Sequence, residues 1–309
     1  MTEQAPDLVL RAAARLQQSR SDVRTPPIAG GTGEPAPRTF GQTIHVEENE
    51  KALPPVGPPP ASPRCHQTIS PGTLAANGLA LPSNGFSRTT EEFRALKRYM
   101  LAKFLPNADG ADGAAARVIL VTSARAGEGK TFTAINLALA LAYEKDTRVL
   151  LMDADAYRQS LMTYLGVSAE AGWLDLVSGR YSTPEEVVLG TNISGLSILP
   201  SGKQRAEIPE LMASRLMKRL LEDLARDDPK RIIIMDALPC LTSTEPSILG
   251  ALAGQTLFVV AAHKTSREDV ESSLRLLHTS SSVSLVLNKA EPLLAEQFKG
   301  YGYAYSYQH

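Results

Sequence analysis

Val121-Thr122-Ser123-Ala124-Arg125-Ala126-Gly127-Glu128-Gly129-Lys130-Thr131 closes a short β-forming run and opens onto an apolar helical one. A phosphate-binding loop belongs at such a junction. Gly127 and Gly129 let backbone N–H groups curl around phosphate oxygens without Cβ clashes, Lys130 brings charge to the terminal phosphates, and Thr131 brings a hydroxyl for Mg²⁺. Arg125, Ala126, Glu128 and Phe132 complete the nucleotide-binding stretch, although the Phe132 ring itself reads as core. The usual pattern begins with a glycine six residues before the lysine, and here that position is Ala124.

Downstream of Ala116 the pattern is βα throughout. Strands are predicted at Arg117 to Thr122, Arg148 to Asp153, Leu196 to Leu199, Arg231 to Asp236, Thr256 to Ala261 and Val283 to Asn288. Helices are predicted at Phe132 to Tyr143, Pro184 to Leu189, Ile208 to Ala225, and Arg267 to His278 after a Ser266 cap. Strands apolar on both faces that alternate with helices imply an α/β fold with a mostly parallel sheet covered on both sides. Ligands in such sheets bind at the carboxyl ends of the strands.

Two of those ends are acidic. Leu150-Leu151-Met152-Asp153-Ala154-Asp155 closes one apolar strand with two carboxylates, and Ile232-Ile233-Ile234-Met235-Asp236 closes another with one. A charge at the end of a buried strand is costly unless a cation, a water or a lysine compensates it. An ordinary phosphate-loop site needs one strand-terminal Asp for its metal, so two carboxylates are left over. We assign Thr131, Asp155 and Asp236 to Mg²⁺ and Asp153 to proton acceptance, with the reverse roles of Asp153 and Asp155 left open.

Outside this region the chain changes character. Residues 1–18 hold a short amphipathic helix, from Asp7 to Gln18, which is either a frayed extension or a docking element. Residues 19–66 form a proline-rich linker, with ten of the chain's 21 prolines between Ser19 and Arg64. The catalytic-type domain spans 67–290 and starts with a helix over 89–104, where Thr89 and Glu92 form a capping box and Phe93, Leu96, Met100 and Phe104 share a face. Glu91, Arg94 and Lys97 lie on its remaining surface, as a solvated face or a subunit contact.

Composition excludes several classes. A formal charge of -1 and a pI near 6.5 give no basic footprint for nucleic acid. Cys65 and Cys240 are the only cysteines, which indicates neither a disulfide framework nor a zinc site. No apolar run approaches the ~20 residues that span a bilayer, and no secretion signal is present, so a cytoplasmic location is expected. Trp173 reads as a partly buried packing residue and Cys240 as a small buried hydrophobe, while Asn288 and Lys289 follow the last strand.

Residues 291–309 end in Tyr301-Gly302-Tyr303-Ala304-Tyr305-Ser306-Tyr307-Gln308-His309, four of the chain's nine tyrosines in strict alternation. The alternation fits a terminal edge strand. Because Gly302, Ala304 and Ser306 give the other face little to bury, a flexible tail of phosphoacceptor tyrosines is the preferred reading. Nineteen residues separate Asn288 from Tyr307, roughly 65 Å when extended, enough to reach the chain's own site or a neighbour's.

The phosphate loop S-A-R-A-G-E-G-K-T, the acidic strand V-L-L-M-D-A-D, the motif I-I-I-M-D-A-L-P, the late strand V-S-L-V-L-N-K and the tyrosine cluster together resemble the bacterial tyrosine autokinases of exopolysaccharide export, particularly the stand-alone type found with exosortase-linked clusters. The resemblance implies a P-loop NTPase of the partition and nitrogenase-iron-protein class. It further implies an ATP and Mg²⁺ site at Lys130, Thr131, Asp153, Asp155 and Asp236, an adenine contact at Asn288, and phosphorylation of Tyr301, Tyr303, Tyr305 and Tyr307 between subunits of a homo-oligomeric ring. Glu91, Arg94 and Lys97 match the family's ring-contact helix. A separate membrane polysaccharide co-polymerase is the implied activator, holding the protein peripherally at the inner membrane. Three positions depart from the pattern: Arg125 stands where partition ATPases place a second lysine, Tyr157 fills an arginine position, and Leu238 replaces a proline. They keep two alternatives in view, an ATP-switched scaffold and a partition-type ATPase.

Overall fold

The computed structural model describes residues 65–80, 87–104, 113–203 and 207–290, all within the second of the chain's two units, Leu53–His309. The N-terminal helix expected over residues 7–18, nearly all of the linker and the tyrosine tail lie outside the described residues.

In chain order the elements are β1 (Cys65–Gln67), α1 (Pro71–Ala76), α2 (Arg88–Phe104), α3 (Gly113–Ala116), β2 (Val118–Ser123), α4 (Lys130–Ala142), β3 (Arg148–Asp153), α5 (Ser160–Leu165), α6 (Trp173–Val177), a 3-10 turn (Pro184–Glu186), β4 (Leu189–Thr191), β5 (Leu196–Leu199), α7 (Ile208–Met212), α8 (Arg215–Asp227), β6 (Arg231–Asp236), α9 (Glu245–Leu252), β7 (Gln255–Ala261), α10 (Arg267–Leu276) and β8 (Val283–Asn288). The strands form one sheet in the order β1-β4-β5-β3-β6-β2-β7-β8. All neighbours pair in parallel except β4 and β5, so β1 and β4 run against the other six. β1 takes in Cys65 and His66, two residues that the boundary at 66 left in the linker.

Period-two alternation sends the central strands' side chains to two cores. Ile119, Val121, Val149, Leu151, Ile232 and Ile234 meet α4, with α1, α2 and α5 beyond it. Val118, Leu120, Leu150, Met152, Ile233 and Met235 meet Trp173, Met217, Leu221 and Leu249 from α6, α8 and α9. This is why these strands are continuous apolar runs: both faces are covered. α4 is enclosed on nearly every side, from Thr133 through Ala142, as a helix that is apolar all round must be.

Three expected elements differ. The helix expected over Ile208 to Ala225 is broken at Ser214, which adopts extended backbone and accepts a hydrogen bond from the Met217 N–H at 3.1 Å, capping α8 separately from α7. The helix expected from Pro184 to Leu189 stops after one 3-10 turn. Glu186 folds back to accept from the Ser182 and Thr183 N–H groups, and Leu189 enters β4. At α2 the capping hydroxyl is that of Ser87, which accepts from Thr90 N–H at 3.1 Å, while Glu92 pairs with Arg88 instead of closing a box on Thr89.

Candidate functional site

The loop between β2 and α4 needs both its glycines. Gly127 has φ +79° and Gly129 φ +101°, and a Cβ on Gly129 would lie 2.0 Å from Asn288 Nδ2. Ala124 is different. It is fully buried against the α8 and α9 side of the sheet and is not among the residues with positive φ, so its methyl group packs where a glycine would leave space.

Distant elements hold the loop from below. The buried Glu128 carboxylate accepts from Arg125 N–H at 2.8 Å and from the Thr265 hydroxyl at 2.6 Å. Asn288 Nδ2 donates to the Glu128 carbonyl at 2.9 Å, and Lys289 Nζ to the Gly127 carbonyl at 2.7 Å. Glu128 and Asn288, both expected as nucleotide contacts, also bind the loop together. Arg125 leans away from it, with its guanidinium paired to both Asp269 oxygens at 2.7 and 2.8 Å, which raises the arginine's pKa and lowers the aspartate's. Phe132 is partly buried and packs against the core, its ring set edge-on to Phe93 at 5.9 Å.

The acidic residues converge beside this loop, for a reason visible in the alternation. Asp153 follows Val149 and Leu151, and Asp236 follows Ile232 and Ile234, so both belong to the sheet face that α4 covers and begins from Lys130. The two aspartates are register partners on adjacent strands. Asp155 comes in from the loop beyond β3, with its Oδ2 3.6 Å from Lys130 Nζ. Burial, then the neighbouring Asp236 and Asp155, push Asp153 up to about 8. Burial pushes Asp236 up to about 6 against the opposing pull of Lys130.

Both oxygens of Asp153, both of Asp236 and Oδ2 of Asp155 are buried without a hydrogen-bond partner among the described residues. Orphaned buried carboxylate oxygens at a phosphate loop have the chemistry of a hard-cation site. Mg²⁺ takes one or two carboxylates and fills its shell with water and phosphate oxygens, which these residues fit.

Sequence reasoning undervalued two side chains. Trp173 is fully buried, and its indole N–H donates to the Asp153 carbonyl at 2.9 Å. Tyr157, in the arginine position, donates to the buried Glu245 carboxylate at 3.0 Å, and its pKa is raised by burial and by that carboxylate. No sequence pattern marks a side chain whose partner is a backbone carbonyl. Cys240 is buried beside Thr122 and its thiol is pushed up to about 11, as a small hydrophobe's would be. In α2, Glu91 and Arg94 pair with each other at the surface, whereas Lys97 pairs with Glu144, tying α2 to the end of α4. Tyr301, Tyr303, Tyr305 and Tyr307 lie outside the described residues.

A glycine loop between a central parallel strand and a buried helix, faced by strand-terminal carboxylates, defines a P-loop NTPase. The ParA family model, described as NUBPL iron-transfer P-loop NTPase, matches residues 114–289, and the chain belongs to that family. Within it, the chain belongs to the bacterial tyrosine-protein kinases. It is 33% identical to the tyrosine-protein kinase YwqD of Bacillus subtilis (strain 168) over 165 residues, 53% of this chain and 68% of that one. It is 34% identical to the tyrosine-protein kinase ptk of Acinetobacter johnsonii over 146 residues, 47% of this chain but only 19% of that longer relative. The solved BceF tyrosine kinase domain overlays with a TM-score of 0.55 at 26% identity, covering 65% of this chain and 78% of that domain. Among the described residues no helix is long and apolar enough to cross a membrane.

Proposed function

We propose that the protein is an ATP- and Mg²⁺-dependent tyrosine autokinase that phosphorylates Tyr301, Tyr303, Tyr305 and Tyr307 and thereby regulates exopolysaccharide polymerisation or export. One observation carries this reading: Asp153 and Asp236 stand in register on adjacent strands, facing Lys130 and Asp155 at the phosphate loop. Lys130 binds the terminal phosphates, Thr131, Asp155 and Asp236 hold the cation, and Asp153 accepts the proton of the attacking phenol. Burial raises its proton affinity without a cation, and the positive charge of a bound cation would release that proton and leave a carboxylate to accept the phenol's. Mg²⁺ bound there neutralises charge on the triphosphate.

The tyrosines reach the site of a neighbouring subunit in a ring, with Glu91, Arg94 and Lys97 of α2 contributing to subunit contacts. A separate membrane polysaccharide co-polymerase of an exosortase-linked system activates the kinase and keeps it peripheral to the inner membrane; nucleic acid is not a partner. The test is incubation of purified protein with Mg-ATP, followed by phosphosite analysis. Lys130→Met abolishes nucleotide binding and labelling, and a Lys130→Met protein that labels its tyrosines like wild type overturns the assignment.

A second reading, an ATP-switched scaffold with little phosphotransfer, is favoured by Tyr157. Its hydroxyl is committed to Glu245, where the family pattern supplies a guanidinium. ATP-dependent assembly that persists after deletion of residues 300–309, without phosphotyrosine, selects this reading.

A further inference from the structure

Trp173 is the chain's single tryptophan. It is the first residue of α6 and is fully buried. The peptide joining Asp153 to Ala154 is held at both of its polar ends. On the β6 side, Ala154 N–H donates to the Asp236 carbonyl at 2.9 Å. On the β5 side, the Asp153 carbonyl accepts from the Trp173 indole at 2.9 Å. The β3–β5 ladder ends at the register pair Met152 and Leu199, so the Asp153 carbonyl lies just beyond its last pair. At that position the donor is the indole.

The indole is itself rigidly mounted. Trp173 N–H donates to the Pro200 carbonyl at 2.9 Å and Leu174 N–H to the Ser201 carbonyl at 3.2 Å. Asp175 accepts from Gly172 N–H at 3.0 Å, and a Cβ on Gly172 would lie 2.1 Å from the Pro200 oxygen, so α6 is pressed directly onto this turn. The same turn reaches the far end of the acidic loop, where Gln159 Nε2 donates to the Gly202 carbonyl at 2.9 Å. Trp173, docked on the Pro200–Gly202 turn, holds the Asp153 end of the acidic segment, and Gln159 ties the other end to the same turn.

We infer that Trp173 is a positioning residue of the cation and nucleotide site: its indole N–H fixes the Asp153 peptide, and so sets the spacing of Asp153 and Asp155 against Asp236 and Lys130. The inference rests on the Mg-nucleotide reading above. It also makes the sole indole a reporter directly bonded to the acidic strand end.

The test replaces this one tryptophan, in the 309-residue protein, with β-(3-benzothienyl)alanine, which keeps the bicyclic shape and lacks the N–H. Calorimetry then measures ATP binding with and without Mg²⁺. The expected result is a melting curve close to wild type, unchanged affinity for ATP in EDTA, and apparent Mg²⁺ affinity weakened about tenfold, the loss of one well-placed hydrogen bond. Phosphorylation falls in kcat more than in KM for ATP. Trp173→Phe gives the same pattern with an added loss of stability. In the unmodified protein, Mg-ATP changes the indole emission and ATP in EDTA does not.

Equal Mg²⁺ affinity in the analogue and wild-type proteins makes Trp173 a packing residue and overturns the inference alone. So does unaltered wild-type emission when calorimetry shows Mg-ATP bound. Absence of any Mg-ATP binding by wild type overturns the functional reading and takes this inference with it.

Discussion

Replacing Asp153 by Asn makes the nucleotide-free protein more stable, and the size of the gain can be worked out from the site. Asp153 is driven to about 8 in the fold by burial and by Asp236 and Asp155, from an ordinary value of 3.8. The folded state therefore binds a proton that the unfolded chain has already released. The stability linked to that carboxyl is fully present below pH 4 and is lost as pH rises through 8. At pH 7, holding the proton costs about 1.4 kcal/mol for each of the roughly three pH units above the ordinary value, ~4 kcal/mol in all. Taking half of this to allow for water entering the site leaves about 2 kcal/mol, or a melting temperature raised by about 4–8 °C for a domain of this size. Asn has no proton to bind and escapes the cost. Thermal melts at pH 6, 7 and 8 measure it: wild type loses stability across the series, and Asp153→Asn has a flatter profile. Mg-ATP then stabilises wild type more than the variant. A variant that melts below wild type at pH 7 without nucleotide, or that has the same pH slope, refutes the reasoning.

Gly129→Ala combines a left-handed φ of +101° with a Cβ 2.0 Å from Asn288 Nδ2; we expect about 1–3 kcal/mol of destabilisation and loss of ATP binding, read by melts and calorimetry. Lys97→Ala removes the pair with Glu144, which is partly exposed, and costs about 0.5–1 kcal/mol. Glu144→Ala costs the same, and the double variant costs less than the sum, as a double-mutant cycle will register. If Lys97 also serves a ring contact, ATP-dependent oligomerisation falls in Lys97→Ala but not in Glu144→Ala.

The central sheet was legible because each of its strands carries apolar residues on both faces, a demand that few other structures make. Asp153, Asp155 and Asp236 stood out for the same reason, as charges that interrupt runs otherwise fit only for a core. β1 and β4 left no such signal, being only three residues long each, the last two strands at one end of the sheet. The split at Ser214 was hidden because α7 and α8 both continue an apolar periodicity, and only the extended backbone of Ser214 separates them. The site's supports were least legible. Glu128 turns inward because of Thr265, 137 residues away, and Arg125 turns aside because of Asp269, 144 residues away. Residue identity at the loop is compatible with either direction, and the choice belongs to tertiary packing.

The most direct test of the central claim is phosphosite mapping of the purified 309-residue protein after incubation with Mg-ATP, with and without the cytoplasmic segment of the proposed polysaccharide co-polymerase. The account predicts phosphotyrosine at Tyr301, Tyr303, Tyr305 and Tyr307 in wild type and none in Lys130→Met. Unmodified tyrosines in wild type under both conditions would contradict it.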